Sequence, residues 1–112
     1  MGKQKDDFVV LKKGKKEIPI DYTEVRKAVL VLRAINHDRR QQIIQLLEEN
    51  DKMTVTDIYI KLRLEQSVAS QHLAILRRAQ VVVTDRNGKF IYYSLDKERL
   101  AQISSFVDDL ND

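Results

Sequence analysis

The chain has 112 residues, a formal net charge of +3 and no cysteine. That length suits one domain with a modest core, and the missing thiols exclude disulfides, thiolate metal sites and thiol catalysis. No apolar run approaches the roughly 20 residues that cross a bilayer, and Phe8-Val9-Val10-Leu11 is too short for a signal-peptide core, so a cytoplasmic protein is expected.

The charge is unevenly placed. Lys3, Lys5, Lys12, Lys13, Lys15 and Lys16 face only Asp6, Asp7 and Glu17 among the first twenty residues. The rest of the chain is balanced overall, but residues 61–89 carry six cations against Glu65 and Asp85, and Asp108, Asp109 and Asp112 compensate near the C-terminus. Residues 1–20 therefore read as a basic N-terminal arm. They look irregular, with Phe8 to Leu11 as a short strand, Lys13-Gly14-Lys15 as a turn and Pro19 as the end of the segment. The lysines suit either a solvated, disordered arm or one that touches phosphates.

Residues 21–112 read as a folded unit. Asp21, with Glu24 three residues on, is an N-cap signature. The helix it opens carries Val25, Ala28, Val29 and Leu32 at helical spacing, and Leu30 and Val31 make it apolar nearly all round. Such a helix needs burial on two sides, against its own domain and against a second subunit. A second helix runs from about Asp38 to Glu49 with Asn36 or His37 at its cap. Ile43, Leu46 and Leu47 form its inner face, and Arg39 and Arg40 its outer one. Thr54-Val55-Thr56-Asp57 opens a short third helix to Leu62, and Arg63-Leu64-Glu65 is a turn.

The helix that follows, to about Gln80, divides cleanly. Ala69, Leu73, Leu76 and Gln80 share an apolar side flanked by Val68, His72, Ile75 and Ala79, whereas Ser67, Ser70, Gln71, Ala74 and Arg78 share the other. Small side chains allow a close backbone approach, and Ser, Gln and Arg are groups that read base edges and phosphates. Two alternating segments, Val81 to Thr84 and Phe90 to Leu95, then flank an Asn87-Gly88 turn and make a hairpin. Arg86 and Lys89 lie at its tip; Arg86 is either a free charge or a minor-groove probe. Of Tyr92 and Tyr93, one packs inward and the other faces out. Asp96 caps a last helix through about Leu110. Its stripe of Leu100, Ile103, Val107 and Leu110, with Phe106 beside it, comes after the core is complete and suits pairing with a symmetry mate. Helix, helix and basic-tipped hairpin is the order of a winged helix-turn-helix, mainly α with a small β-hairpin, dimerising through the first and last helices.

Four segments together resemble the ArsR/SmtB family of bacterial repressors: Leu32 to Arg40, Val55 to Ile58, Ser70-Gln71-His72-Leu73-Ala74-Ile75-Leu76-Arg77 and Gly88-Lys89-Phe90-Ile91-Tyr92-Tyr93-Ser94-Leu95. The resemblance covers roughly Tyr22 to Leu110. It implies a homodimeric regulator of double-stranded DNA that represses a palindromic operator. It places Gln66, Ser67, Ser70, Gln71 and His72 on DNA-contact positions, and Arg86 and Lys89 on the wing; Arg78 joins them from the polar helix face. Gln71 stands where many members have arginine, which favours an amide contact to adenine. Gln80 stands where glycine is usual. The Val55-Thr56-Asp57 helix lacks the Cys-x-Cys metal ligands, and the last helix lacks the ligating histidines, so no cofactor or metal is expected and the inducer stays unknown.

The residues leave alternatives. His72 is either a packed, hydrogen-bonded histidine or a phosphate contact, and His37 reads as a surface residue at a helix start. The two histidines lie far apart in sequence, without metal-ligand spacing. With no Gly-rich phosphate loop and no nucleophile–base cluster, an enzyme is not expected. The rival class is a winged-helix protein-interaction module without specific DNA binding, and a second rival adds a sensor built from unfamiliar residues.

Overall fold

The computed structural model describes residues 8–111. Lys3, Lys5, Asp6, Asp7 and Asp112 lie outside them. The chain begins with two strands, β1 (Phe8–Lys13) and β2 (Lys16–Asp21), and continues into α1 (Tyr22–Ile35), α2 (Asp38–Asn50), β3 (Met53–Thr54), α3 (Val55–Leu62), α4 (Gln66–Arg78), β4 (Val82–Asn87), β5 (Phe90–Leu95) and α5 (Lys97–Asn111). β1 and β2 form a separate antiparallel ribbon, and β3, β5 and β4 form a three-stranded sheet in that spatial order.

Most helix starts follow from local chemistry. The Asp21 carboxylate accepts a hydrogen bond from the Thr23 amide at 3.0 Å. Thr54 and Asp57 form a reciprocal capping box, with Asp57 N–H donating to Thr54 Oγ1 at 3.2 Å and Thr54 N–H to the Asp57 carboxylate at 3.4 Å. Asp96 accepts from the Arg99 amide at 3.0 Å. At α2 it is His37, not Asn36, that caps: its Nδ1 accepts from the Arg39 amide at 3.1 Å. Each cap satisfies amides that the first helical turn leaves without an internal partner.

The core gathers one stripe from each helix. Ala28, Val31 and Ala34 of α1, Ile43, Leu46 and Leu47 of α2, Ile58 of α3, and Ala69, Leu73 and Leu76 of α4 are buried, with Ala79, Val81, Val82 and Ile103 closing the set. Ile103 and its neighbours Leu100, Phe106 and Val107 of α5 pack on this core. The last helix therefore does have its own chain to cover, contrary to expectation: part of its stripe closes the domain. The far side of α1 stays bare, with Tyr22, Val29, Leu30 and Leu32 each 39–44% exposed.

Three further expectations change. Residues 8–21 are regular, with the expected strand and turn present, but Pro19 sits within β2 opposite Val10 rather than ending the ribbon. Counting from the Lys13–Lys16 pair that closes the turn, Val10–Pro19 is a non-hydrogen-bonded pair, where proline's missing N–H costs the ladder nothing. The wing turn is shifted by one residue. Asn87 pairs with Phe90, so the loop is Gly88-Lys89, with Gly88 at φ +64° in the first central position, as in the primed turns that suit twisted hairpins. Finally, Gln80 does not share the buried side of α4. It lies beyond the helix, exposed, at φ +62°.

That geometry defines how α4 ends. Gln80 N–H donates to the Arg77 carbonyl and Val81 N–H to the Leu76 carbonyl, both at 2.9 Å. This is the paired 5→2 and 6→1 pattern that normally recruits glycine to the left-handed position. The apolar contact that accompanies it is supplied by Leu76 and Val81, both fully buried. A non-glycine residue held there carries strain of about 1–2 kcal/mol. Gln80→Gly is therefore expected to raise stability by about 0.5–1 kcal/mol in denaturant unfolding, after allowing for glycine's larger entropy loss. Unchanged or lowered stability would mean that Gln80 is not strained.

Candidate nucleic-acid interface

α3 and α4 are joined by a turn at Arg63, whose backbone is left-handed (φ +56°). Arg63 N–H donates to the Ile60 carbonyl and Leu64 N–H to that of Tyr59. This closure fixes α4 relative to α3. Ala69, Leu73 and Leu76 seat α4 on the core, and Ser67, Ser70, Gln71, Ala74 and Arg78 all remain exposed on its opposite side. Gln66 is exposed as well, at the first turn. Glu65 at the N-cap makes no side-chain cap bond, so the first amides of α4 keep their donors for an outside acceptor.

The sheet brings the wing beside this helix. Cross-strand partners Val82–Leu95, Thr84–Tyr93 and Arg86–Ile91 share one face of the hairpin. Val82 is buried and Tyr93 and Leu95 pack against the core, so this is the inward face, and Arg86 is its exposed outer end. Tyr93 also opens into a shallow depression with Ser70, Ala74, Arg77 and Arg78 of α4. Ser70, Arg77, Arg78 and Tyr93 thus line one depression between helix and wing. Donors so grouped suit an anionic backbone. Arg77 belongs to the motif that carries the family resemblance, but the sequence alone assigns it no role.

The opposite face of the wing carries Phe90 and Tyr92, with ring centroids 6.4 Å apart. The Lys52 ammonium lies 5.2 Å from the Tyr92 ring and the Lys89 ammonium 5.5 Å from that of Phe90. Lys89 occupies the turn itself, and Arg86 Nε donates to the Gly88 carbonyl at 3.3 Å across the tip. Two cations therefore end the hairpin, both exposed.

His72 occupies a different environment from its neighbours. It is half-buried, and its ring centroid is 4.7 Å from that of His37. Arg40 Nη1 lies 3.4 Å from His72 Nδ1. A guanidinium only donates, so Nδ1 accepts and the ring proton sits on Nε2. Burial first, then the charges of His37, Arg40 and Arg39, hold the His72 imidazole below the ordinary histidine value. The neutral, packed alternative is the one this geometry favours. Arg40, expected on an outer face, is half-buried instead: it donates to the carbonyls of Ala34 and Arg33, and Gln41 donates to that of Ile35 at 3.0 Å. α2 side chains thus satisfy the open carbonyl end of α1 and carry that order through His72 to α4. No short-range pattern joins His72 to residues 37 and 40, which it meets only through helix packing.

Among the described residues no three His, Cys, Asp or Glu side chains converge as metal ligands. No described helix is long and apolar enough to cross a membrane.

Comparison with known proteins points the same way. Residues 37–83 match the model of a family described as bacterial regulatory protein, arsR family. The transcriptional activator HlyU of Vibrio cholerae is 41% identical over 69 residues, 62% of this chain and 63% of HlyU. Its solved structure superposes with a TM-score of 0.61 at 37% identity, covering 73% of this chain and 89% of that one. The transcriptional repressor PagR of Bacillus anthracis is 30% identical, with a TM-score of 0.66 over 77% of this chain and 99% of PagR. A homodimeric winged helix-turn-helix DNA-binding domain from Mycobacterium bovis gives 25% identity and a TM-score of 0.66 over 80% of this chain and 82% of its own.

Proposed function

The chain belongs to the arsR family of bacterial regulatory proteins and is a winged helix-turn-helix transcriptional regulator that binds DNA, and from that premise we propose that it works as a homodimeric repressor on a near-palindromic operator, in the cytoplasm. The observation that carries the reading is the depression in which Ser70, Arg77 and Arg78 of α4 meet Tyr93 of the wing, beside the exposed polar face of that helix.

Each part has its own support. The bare band of Val29, Leu30 and Leu32 on α1 is the kind of apolar surface a second subunit covers, and the Mycobacterium bovis relative is homodimeric. A two-fold dimer presents two α4 helices to successive major grooves, so half-sites lie about 10 bp apart or a multiple of it. Repression needs only occupancy of a promoter, which this interface supplies, whereas activation needs a further surface for the polymerase; PagR is named a repressor. In this reading Gln66, Ser67, Ser70 and Gln71 face base edges and nearby phosphates. Arg78, Arg86 and Lys89, with Arg77, grip the backbone. His72 positions α4 through Arg40 rather than touching DNA.

The test is selection of duplexes from a random library, followed by titration of the winner. A palindrome should emerge, bound with 2:1 protein-to-duplex stoichiometry. Gln71→Ala should cost about 1–3 kcal/mol on that site and flatten preference at one base pair per half-site. Arg86→Ala should weaken all sequences alike. Equal weakening of every sequence by both variants would remove Gln71 from base reading, and failure to enrich any site would remove the specific-regulator reading.

A further inference from the structure

The β1–β2 ribbon is the part of the molecule the winged helix does not explain. Its strands are six residues each, so it is about 20 Å long. Beyond that pairing, β2 adjoins the start of α1, into which it runs directly. The molecule measures 56 × 30 × 21 Å, and its radius of gyration of 17.4 Å exceeds the roughly 13 Å of a compact domain this long. A free two-stranded ribbon is marginal in water, and this one exposes Val10 and Leu11 about halfway.

Its distal end is cationic. Lys12, Lys13, Lys15 and Lys16 are all exposed within five residues, with Glu17 as the one nearby anion among them. Lys13 and Lys16 are directly opposed across the strands, a like-charge pairing that weakens a hairpin unless an anion lies between them. None of the four lysines ion-pairs with a described residue. The tip also repeats the wing's construction: a two-residue Gly14-Lys15 loop with Gly14 at φ +64°, against Gly88-Lys89 with Gly88 at φ +64°.

We infer that the β1–β2 ribbon is a second DNA arm, whose four lysines contact phosphates of the duplex flanking the bases that α4 reads. It adds affinity and operator length without adding base preference, since lysine–phosphate contacts are blind to sequence. This rests on the DNA-binding reading above.

The experiment uses the full chain and its selected operator, embedded in long flanks and measured over a series of salt concentrations. Replacing Lys12, Lys13, Lys15 and Lys16 together by glutamine should make the slope of log affinity against log salt shallower by about 4–7 for the two ribbons of the dimer, at about 0.9 for each of up to eight phosphates no longer neutralised. Affinity should fall at least tenfold, the nuclease footprint should shorten at its outer ends, and the order of preference among operator variants should not change. Arginine at the same four positions should restore slope and footprint, which separates removal of charge from collapse of the hairpin. An unchanged slope and footprint, with the operator still selectively bound, would overturn the ribbon's role alone. Weaker binding with no change in slope would overturn it too, because phosphate contacts would not be the cause. If the native chain selected no operator, both readings would fall.

Discussion

Replacing Leu76 by alanine is expected to destabilise the fold by about 3–4 kcal/mol, out of a total of about 5–15 for a domain of this kind. Leu76 is fully buried and adjoins the turn at which α4 gives way to the wing. Its carbonyl accepts the Val81 amide, and its side chain supplies half of the apolar contact that accompanies the left-handed turn. Truncation leaves a cavity where helix, turn and β4 meet, which the rigid backbone around Gln80 cannot easily collapse to fill. The measurement is urea unfolding with DNA titration on the same samples. Affinity should fall with stability and recover in part when saturating operator holds the native state. A loss below about 1 kcal/mol would mean that the wing and α4 are not joined through this residue.

Ser70→Glu should do the reverse, sparing the fold and removing the function. Ser70 is exposed, and glutamate is at least as good a helix former as serine, so unfolding should move by less than about 0.5 kcal/mol. The carboxylate would enter the depression shared with Arg77, Arg78 and Tyr93, where it competes with the duplex for both guanidinium groups and repels the phosphates. Like charges juxtaposed at an interface cost several kcal/mol, so operator affinity should fall at least 100-fold. Retention of more than a tenth of the native affinity would place the DNA elsewhere than on this face of α4.

The helices are legible in the sequence because each carries its own period and its own stop signal. Leu73 and Leu76 follow Ala69 at the spacing that makes a buried stripe, and Thr54 with Asp57 is a capping pair visible in any copy of the sequence. What escapes depends on partners distant in the chain. β3 is two residues long and exists as a strand only because Tyr92 and Tyr93 lie beside it. His37 is the exposed helix-start histidine its sequence suggests, but that His72 of α4 lies against it is not legible, and Arg40 reads as solvated until the end of α1 offers it carbonyls. At the wing tip the Asn87-Gly88 pair invites one turn and the strand register imposes another, one residue later. The polar face of α4 is readable as a face; that Arg77 shares a depression with Tyr93 of the wing is not, because it depends on where the hairpin comes to rest.

The division of α4 between seat and surface also bears on how such regulators diverge. Ala69, Leu73 and Leu76 hold the helix in place, while Ser67, Ser70, Gln71 and Ala74 contribute almost nothing to the core. Substitutions at the second set are close to neutral for folding. On the proposed assignment of this face to base reading, a duplicated gene is free to drift through new operator preferences one residue at a time at little cost to folding. New regulatory circuits become accessible by small steps, and these surface positions are where sister copies should differ most.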